Sequence, residues 1–252
     1  MNSTEEIKMK IIAHRGFSGK YPENTLLAFE KAVEASSDAI ELDVQLTKDG
    51  ILVLFHDDTF TRLIQTEGFL LDHNWIDLEQ YKVRKRRLKR NVYAPILSLE
   101  AYFNWVQDQE IMTVIELKNN LRPHEGMEEK LVVLLRKYKL EHRVIVSSFK
   151  KESLMKIKEI APLIPCAYIT KLKKEDDLSW MEQTQMEFVH PKFTSLWPWN
   201  VAKLMKLEVR ISPWTVNYSI FMRYLLRMPN LYGIITDRPD RLKKVIEKIK
   251  KT

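Results

Sequence analysis

Short apolar runs alternate with amphipathic stretches along most of the chain, and the runs tend to stop on polar, chemically capable residues. Residues 10–14 (Lys-Ile-Ile-Ala-His) read as a buried strand. From Asn24 to Ala35 the apolar positions Leu26, Leu27, Phe29, Ala32 and Val33 have helical spacing, with Asn24 as the expected N-cap. Residues 39–46 alternate strictly: Ile40, Leu42, Val44 and Leu46 face one way, Glu41, Asp43 and Gln45 the other. Asp49-Gly50 then predicts a tight turn, so the run 51–55 is expected to return antiparallel and to stop at His56-Asp57-Asp58.

Between about 57 and 95 the regularity fades, and from Lys82 to Arg90 seven of nine residues are positive. This stretch is read as an excursion from the main fold, too short to build a core of its own. After Pro95 the rhythm resumes. Helices are expected at 98–107, 125–139, 151–161, 175–185, 198–206, 218–227 and 239 to the end. Strands are expected at 112–118, 143–149, 164–169, 186–190, 207–211 and 232–236. Nine strand-like segments result, and setting aside the hairpin return leaves eight, nearly all separated by helices. Eight such units predict a single-domain TIM (β/α)₈ barrel over residues 1–252, with a small insertion after the second strand at about 47–95. An open doubly wound sheet is the alternative, but no Gly-x-Gly-x-x-Gly follows the first strand.

Composition narrows the setting. With 252 residues, 45% of them hydrophobic and 30% charged, the chain has the make-up of an ordinary globular protein. The single cysteine, Cys166, has no internal partner, which suits a reducing compartment. Residues 1–8 lack the apolar core of a signal peptide, and no apolar run reaches the ~18 residues of a membrane span. A cytoplasmic location is expected. The net charge of +7 favours anionic ligands only weakly, because most basic proteins simply carry solvated lysines. Lys82 to Arg90 is a surface loop on this reading, with weak contact to an anionic membrane as the functional option. No nucleic-acid partner is expected, since no stacking aromatics accompany the run.

In a barrel the active site lies where strands end. Those ends carry His14-Arg15, Glu41 and Asp43, His56-Asp57, Glu116 and Lys118, Ser148, His190, Trp214 to Asn217, and Thr236-Asp237. A lone Glu-x-Asp is usually a solvated strand face, but the coincidence of so many reactive residues at strand ends shifts the balance. Three carboxylates converging inside a barrel repel one another unless a cation sits between them, and all-oxygen ligation points to Mg²⁺ or Ca²⁺. Arg15 and Lys118 suit phosphate oxygens, and two histidines suit proton donation and removal. The set fits metal-assisted hydrolysis of a phosphoester. His190 is read as a rim or packing residue and Asn217 as a helix cap.

His14-Arg15-Gly16, Pro22-Glu23-Asn24-Thr25, Glu41-Leu42-Asp43-Val44, Thr47-Lys48-Asp49-Gly50, Phe55-His56-Asp57, Glu116-Leu117-Lys118, Trp214-Thr215-Val216-Asn217 and Gly233 to Pro239 recur in order. Together they resemble the glycerophosphodiester phosphodiesterase family, from about residue 11 to 240. The resemblance implies a TIM barrel with an insertion after its second strand, and hydrolysis of a glycerophosphodiester to glycerol 3-phosphate and an alcohol. It further implies one divalent cation on Glu41, Asp43 and Glu116, with His14 and His56 as the acid–base pair. Arg15 and Lys118 would hold the phosphate, and Trp214 would wall the pocket. Two alternatives are a lysophospholipase D-type activity on membrane lysolipids and a non-catalytic phosphate-binding barrel. The departures are few: Ser36-Ser37, Met205 to Leu207 and Met228 to Asn230 stand where the family often has glycine, and no motif accounts for the basic run.

Overall fold

The computed structural model describes residues 9–86, 90–119, 124–173 and 176–251. Eight parallel strands form its frame: β1 Lys10–His14, β2 Ala39–Leu46, β3 Met112–Leu117, β4 Val144–Ser148, β5 Cys166–Thr170, β6 Phe188–Pro191, β7 Arg210–Ile211 and β8 Gly233–Thr236. Their order, 7-6-5-4-3-2-1-8, leaves β7 and β8 at the two ends. Backbone bonds join those ends: Tyr232 N–H donates to Ile211 O at 2.9 Å, Ile235 N–H to Pro213 O and Val216 N–H to Ile235 O, each at 3.0 Å. The sheet closes on itself, and the fold is a TIM barrel.

Among the described residues eight helices follow the barrel strands: α1 Leu26–Glu34, α2 Leu99–Val106, α3 Met127–Tyr138, α4 Lys151–Ile160, α5 Asp176–Gln183, α6 Pro198–Lys206, α7 Ser219–Leu225 and α8 Pro239–Lys250. The large core lies between sheet and helices, and takes in the outward residues Ile40, Leu42 and Val44 with Phe29, Tyr102 and Leu131. A second apolar cluster fills the lower barrel: Ile12, Ala39, Val114, Ile145, Ala167, Phe188, Tyr232 and Ile235. Side chains on a strand return to the same face every second residue. Two positions beyond that floor therefore come His14, Glu41, Glu116, Ser147, Ile169 and His190, the next inward layer. The six strands lift their chemistry to one level because they share the same two-residue period above a common apolar floor.

The insertion leaves the barrel after β2. Strand Leu52–Leu54 pairs antiparallel with β2, as the Asp-Gly turn predicts, and also pairs with Leu97–Ser98. Lys82–Lys85 pairs antiparallel with Val92–Pro95, with a short helix at Trp75–Leu78 before them. Contrary to expectation, the excursion gathers a core: Val53, Phe55, Phe60, Leu63, Leu70, Leu78, Val83 and Ile96 pack together. Its apolar residues are scattered in sequence but meet in one cluster drawn from Leu52–Leu54, from Lys82–Lys85, from the segment between them and from Ile96. Of the basic run, Arg87 to Lys89 lie outside the described residues, as do residues 1–8, 120–123 and Glu175. Among the described residues no helix is long and apolar enough to cross a membrane.

Candidate active site

Strand register assembles the acidic cluster. His14 stands opposite Glu41, and Asp43 opposite Glu116. All three carboxylates are buried, and one oxygen from each lies within 4.8 Å of the others. Burial and the charges of Asp43 and Glu116 push the Glu41 carboxyl well above the usual carboxylate range. Asp43 goes the other way. Burial would raise it, but Arg15, Lys118, His56 and His14 together hold it far below that range. Among the described residues Asp43 Oδ1 is buried without a hydrogen-bond partner, with Lys118 Nζ 3.4 Å away. A buried all-oxygen donor set with one oxygen unsatisfied suits a hard divalent cation.

The turn after β1 frames this cluster. Arg15 and Gly16 both take left-handed backbone, with φ of 55° and 74°. This aims the Arg15 N–H at Glu41 Oε2, 2.9 Å away. A Cβ on Gly16 would come within 2.7 Å of the Ala28 backbone, so only glycine fits there. Asn24, with φ of 56°, donates from Nδ2 to Asp43 Oδ2 at 2.8 Å and accepts from Asp43 N–H at 3.2 Å. Asn24 is therefore not the N-cap of α1. Thr25 caps it, accepting from Ala28 N–H, while the amide one residue earlier is committed to the acid cluster.

Each catalytic candidate imidazole is held by a carboxylate. His14 Nδ1 lies 2.6 Å from Asp237 Oδ1. Asp237 also accepts from Asn217 Nδ2 at 2.6 Å and from Ser18 Oγ at 3.0 Å. Burial would raise the Asp237 carboxyl, yet its bonds to His14, Asn217 and Ser18 keep it well below the usual range. An ionised carboxylate only accepts, so His14 Nδ1 carries the proton and Nε2 is left for other work. Asn217 thus locks Asp237, and Tyr218, not Asn217, is the N-cap of α7. His56 Nδ1 lies 2.5 Å from Asp57 Oδ1. Gln45 Nε2, reaching from β2, donates to the carbonyls of Phe55 and Asp57 at 3.0 and 2.9 Å and so fixes the loop that carries His56.

The two cations are anchored by carboxylates at their charged ends. Arg15 Nη1 donates to Glu23 Oε1 at 2.7 Å, and its Nε lies 3.0 Å from Asp43 Oδ2. Lys118 Nζ donates to Glu116 Oε1 at 2.7 Å. Arg62 joins the two halves of the site, donating to Asp57 Oδ2 at 2.6 Å and to both Glu23 oxygens at 2.8 Å. A continuous series of charges, His56–Asp57–Arg62–Glu23–Arg15–Asp43, results. Arg62 was not singled out from sequence; Glu23 and Asp237 stood within the quoted motifs, without a role assigned to either. The one local signal was Asp57 beside His56.

His14, Arg15, Glu41, His56, Glu116, Lys118 and Trp214 line one cavity of about 140 Å³, with Asp43 behind them. Trp214 packs edge-on against Phe149 at 5.7 Å and donates from Nε1 to His190 O at 2.8 Å, as a wall residue would. His190 also faces the cavity, and burial pushes its imidazole down to about 3, so it is neutral.

Known proteins share this architecture. A Caldanaerobacter subterraneus subsp. tengcongensis glycerophosphodiester phosphodiesterase is 34% identical over 242 residues, covering 96% of this chain and 99% of its own. A Silicibacter pomeroyi structure described as a putative glycerophosphoryl diester phosphodiesterase superimposes with a TM-score of 0.86 at 22% identity, covering 96% of this chain and 94% of the other. An Oleispira antarctica phosphodiesterase, solved in complex with its product sn-glycerol-3-phosphate, has a TM-score of 0.81 at 23% identity, covering 94% of this chain and 96% of the other. The profile of the glycerophosphoryl diester phosphodiesterase family matches residues 14–241. The chain belongs to the glycerophosphoryl diester phosphodiesterase family and is a phosphodiesterase.

Proposed function

We propose that the chain hydrolyses glycerophosphodiesters to sn-glycerol 3-phosphate and an alcohol, with His14 and His56 as the acid–base pair. The observation that carries this reading is that two carboxylate-held imidazoles, two cations and the acidic cluster all meet around one small cavity. Arg15 and Lys118 hold the non-bridging phosphate oxygens, their charges fixed in place by Glu23 and Glu116. One imidazole takes a proton from the attacking oxygen, that of water or of the glycerol 2-hydroxyl, as the new P–O bond forms; a cyclic phosphate made by the hydroxyl is then opened by water. The other delivers a proton to the departing alcohol oxygen as its P–O bond breaks. Asp237 and Asp57 keep each ring oriented and stabilise its charged form. Trp214 walls the substrate in.

Glu41, Asp43 and Glu116 would hold one divalent cation, Mg²⁺ or Ca²⁺, which when bound supplies charge neutralisation for the phosphate oxygens. A cytoplasmic setting is part of the same reading, supported by a lone cysteine buried without a partner. The test is release of sn-glycerol 3-phosphate from glycerophosphocholine and glycerophosphoethanolamine by wild type, His14→Ala and His56→Ala proteins. Wild type should release it and each variant should lose at least ~100-fold in kcat. Full activity in either variant would remove that histidine from the mechanism.

A further inference from the structure

Opposite the acidic cluster, the cavity has a second half to which the reaction chemistry assigns no polar group. In the closed ring β6 stands four strands from β2 in either direction, so His190 and Glu41 face one another across the barrel. Around His190, the side chains of Phe149, Ile169, Trp214 and Ile235 form an apolar wall. His190 is 1% exposed, and among the described residues its Nε2 is buried without a hydrogen-bond partner. The other polar groups of this half are accounted for. Ser147 Oγ donates to Ile115 O at 3.3 Å, and Thr215 is only half-buried. Trp214 Nε1 donates to the His190 carbonyl, a bond that makes no demand on the imidazole. An orphaned buried nitrogen is costly unless something meets it, and the cavity that His190 lines is where a partner can enter.

The chemistry of that nitrogen selects the partner. Burial keeps the ring neutral, so one of its nitrogens donates and the other accepts. A hydroxyl does both and satisfies Nε2 in either tautomer. An ionised phosphate oxygen only accepts and is better served by Arg15 and Lys118, while a quaternary ammonium can neither donate nor accept. At about 140 Å³ the cavity is smaller than the roughly 300 Å³ at which pockets enclose drug-sized ligands, so it takes one half of a diester. With phosphorus held on the β1–β3 side, the group that reaches β6 is the one farthest from it along the glycerol, the terminal hydroxyl. We propose that His190 binds the terminal hydroxyl of the glycerol moiety through Nε2, and so sets a preference for glycerol over alcohols that lack this group. The inference rests on the hydrolytic reading of the same cavity.

The experiment compares kcat/KM, with Mg²⁺ or Ca²⁺ present, for glycerophosphocholine and for the analogue in which propane-1,2-diol replaces glycerol, so that only the terminal hydroxyl is missing. Wild type should favour the glycerol substrate at least ~10-fold. His190→Leu should lose at least ~10-fold on the glycerol substrate and should no longer prefer it. His190→Gln, whose amide reaches the place of Nε2, should keep most of the preference, and His190→Asn, one carbon shorter, should not. If His190→Leu does not fold, the Asn variant carries the comparison. The pH profile of kcat/KM from about pH 5 to 9 should keep its shape in the variants, because a ring neutral throughout supplies no limb. Loss of a limb overturns the inference by making His190 an acid–base group. A loss shared equally by both substrates, with unchanged circular dichroism, overturns it by making the ring a packing element. Wild type that hydrolyses both substrates equally well sinks this inference alone; wild type that hydrolyses neither sinks the hydrolytic reading and this inference with it.

Discussion

Replacing Glu41 with glutamine should stabilise the fold while destroying its activity. Glu41 is buried beside Asp43 and Glu116, and its carboxyl is held well above its ordinary range by that burial and those charges. A group raised in the folded state contributes stability that is full below its unfolded value, near ~4.3, and is lost as pH rises through the folded value. At neutral pH, with cations chelated, the wild-type protein carries that cost. Glutamine keeps the shape, and its oxygen can still accept from Arg15 N–H at the 2.9 Å site. Relief of buried uncompensated charge should be worth about 1–3 kcal/mol, in the range seen when buried ionic groups are replaced. For a chain of this size that is roughly 2–12 °C in Tm. The assay is thermal unfolding in EDTA from pH 5 to 8, repeated with Mg²⁺ or Ca²⁺. The gap between variant and wild type should widen as pH rises. A cation at ~100 times its Kd should stabilise wild type by about 2.7 kcal/mol and the variant by much less. A variant less stable than wild type in EDTA at pH 7.5, or one that gains as much from the cation, would refute the reasoning.

Two further substitutions probe the supports behind the histidines. Asp237→Asn should lower kcat by roughly 10²–10⁴ with little change in KM, because the amide no longer enforces a proton on His14 Nδ1; steady-state kinetics with unchanged circular dichroism is the check. Arg62→Ala should lower kcat about tenfold or more by freeing Asp57 and Glu23, as losses of supporting partners commonly do. Because Arg62 is half exposed, its removal should cost less than ~1 kcal/mol in urea unfolding.

How much of this was legible in the chain follows from the range of the signals. The alternation at 39–46 showed that Glu41 and Asp43 share a face, and two-residue periodicity is a local property. That the same face points into a closed barrel, level with His14 and Glu116, needed the register of β1, β2 and β3. Asn24 and Asn217 were read as helix caps because each stands just before a helix, where such residues usually serve. Both instead bond acids 19 and 20 residues away, a pairing with no sequence period. Arg62 lies in the stretch where periodicity fails, so nothing local linked it to Glu23, 39 positions earlier. The core of the insertion was missed for the same reason. Its apolar residues come from several segments, not from one helix or strand.

The central claim is that the acidic cluster, the paired histidines and the two cations form one metal-assisted phosphodiester site. It is tested most directly by chelating the purified protein, then measuring sn-glycerol 3-phosphate released from glycerophosphocholine before and after Mg²⁺ or Ca²⁺ is restored. The chelated protein should be inactive and should recover when one of the two ions returns. Undiminished hydrolysis in excess EDTA would contradict the claim.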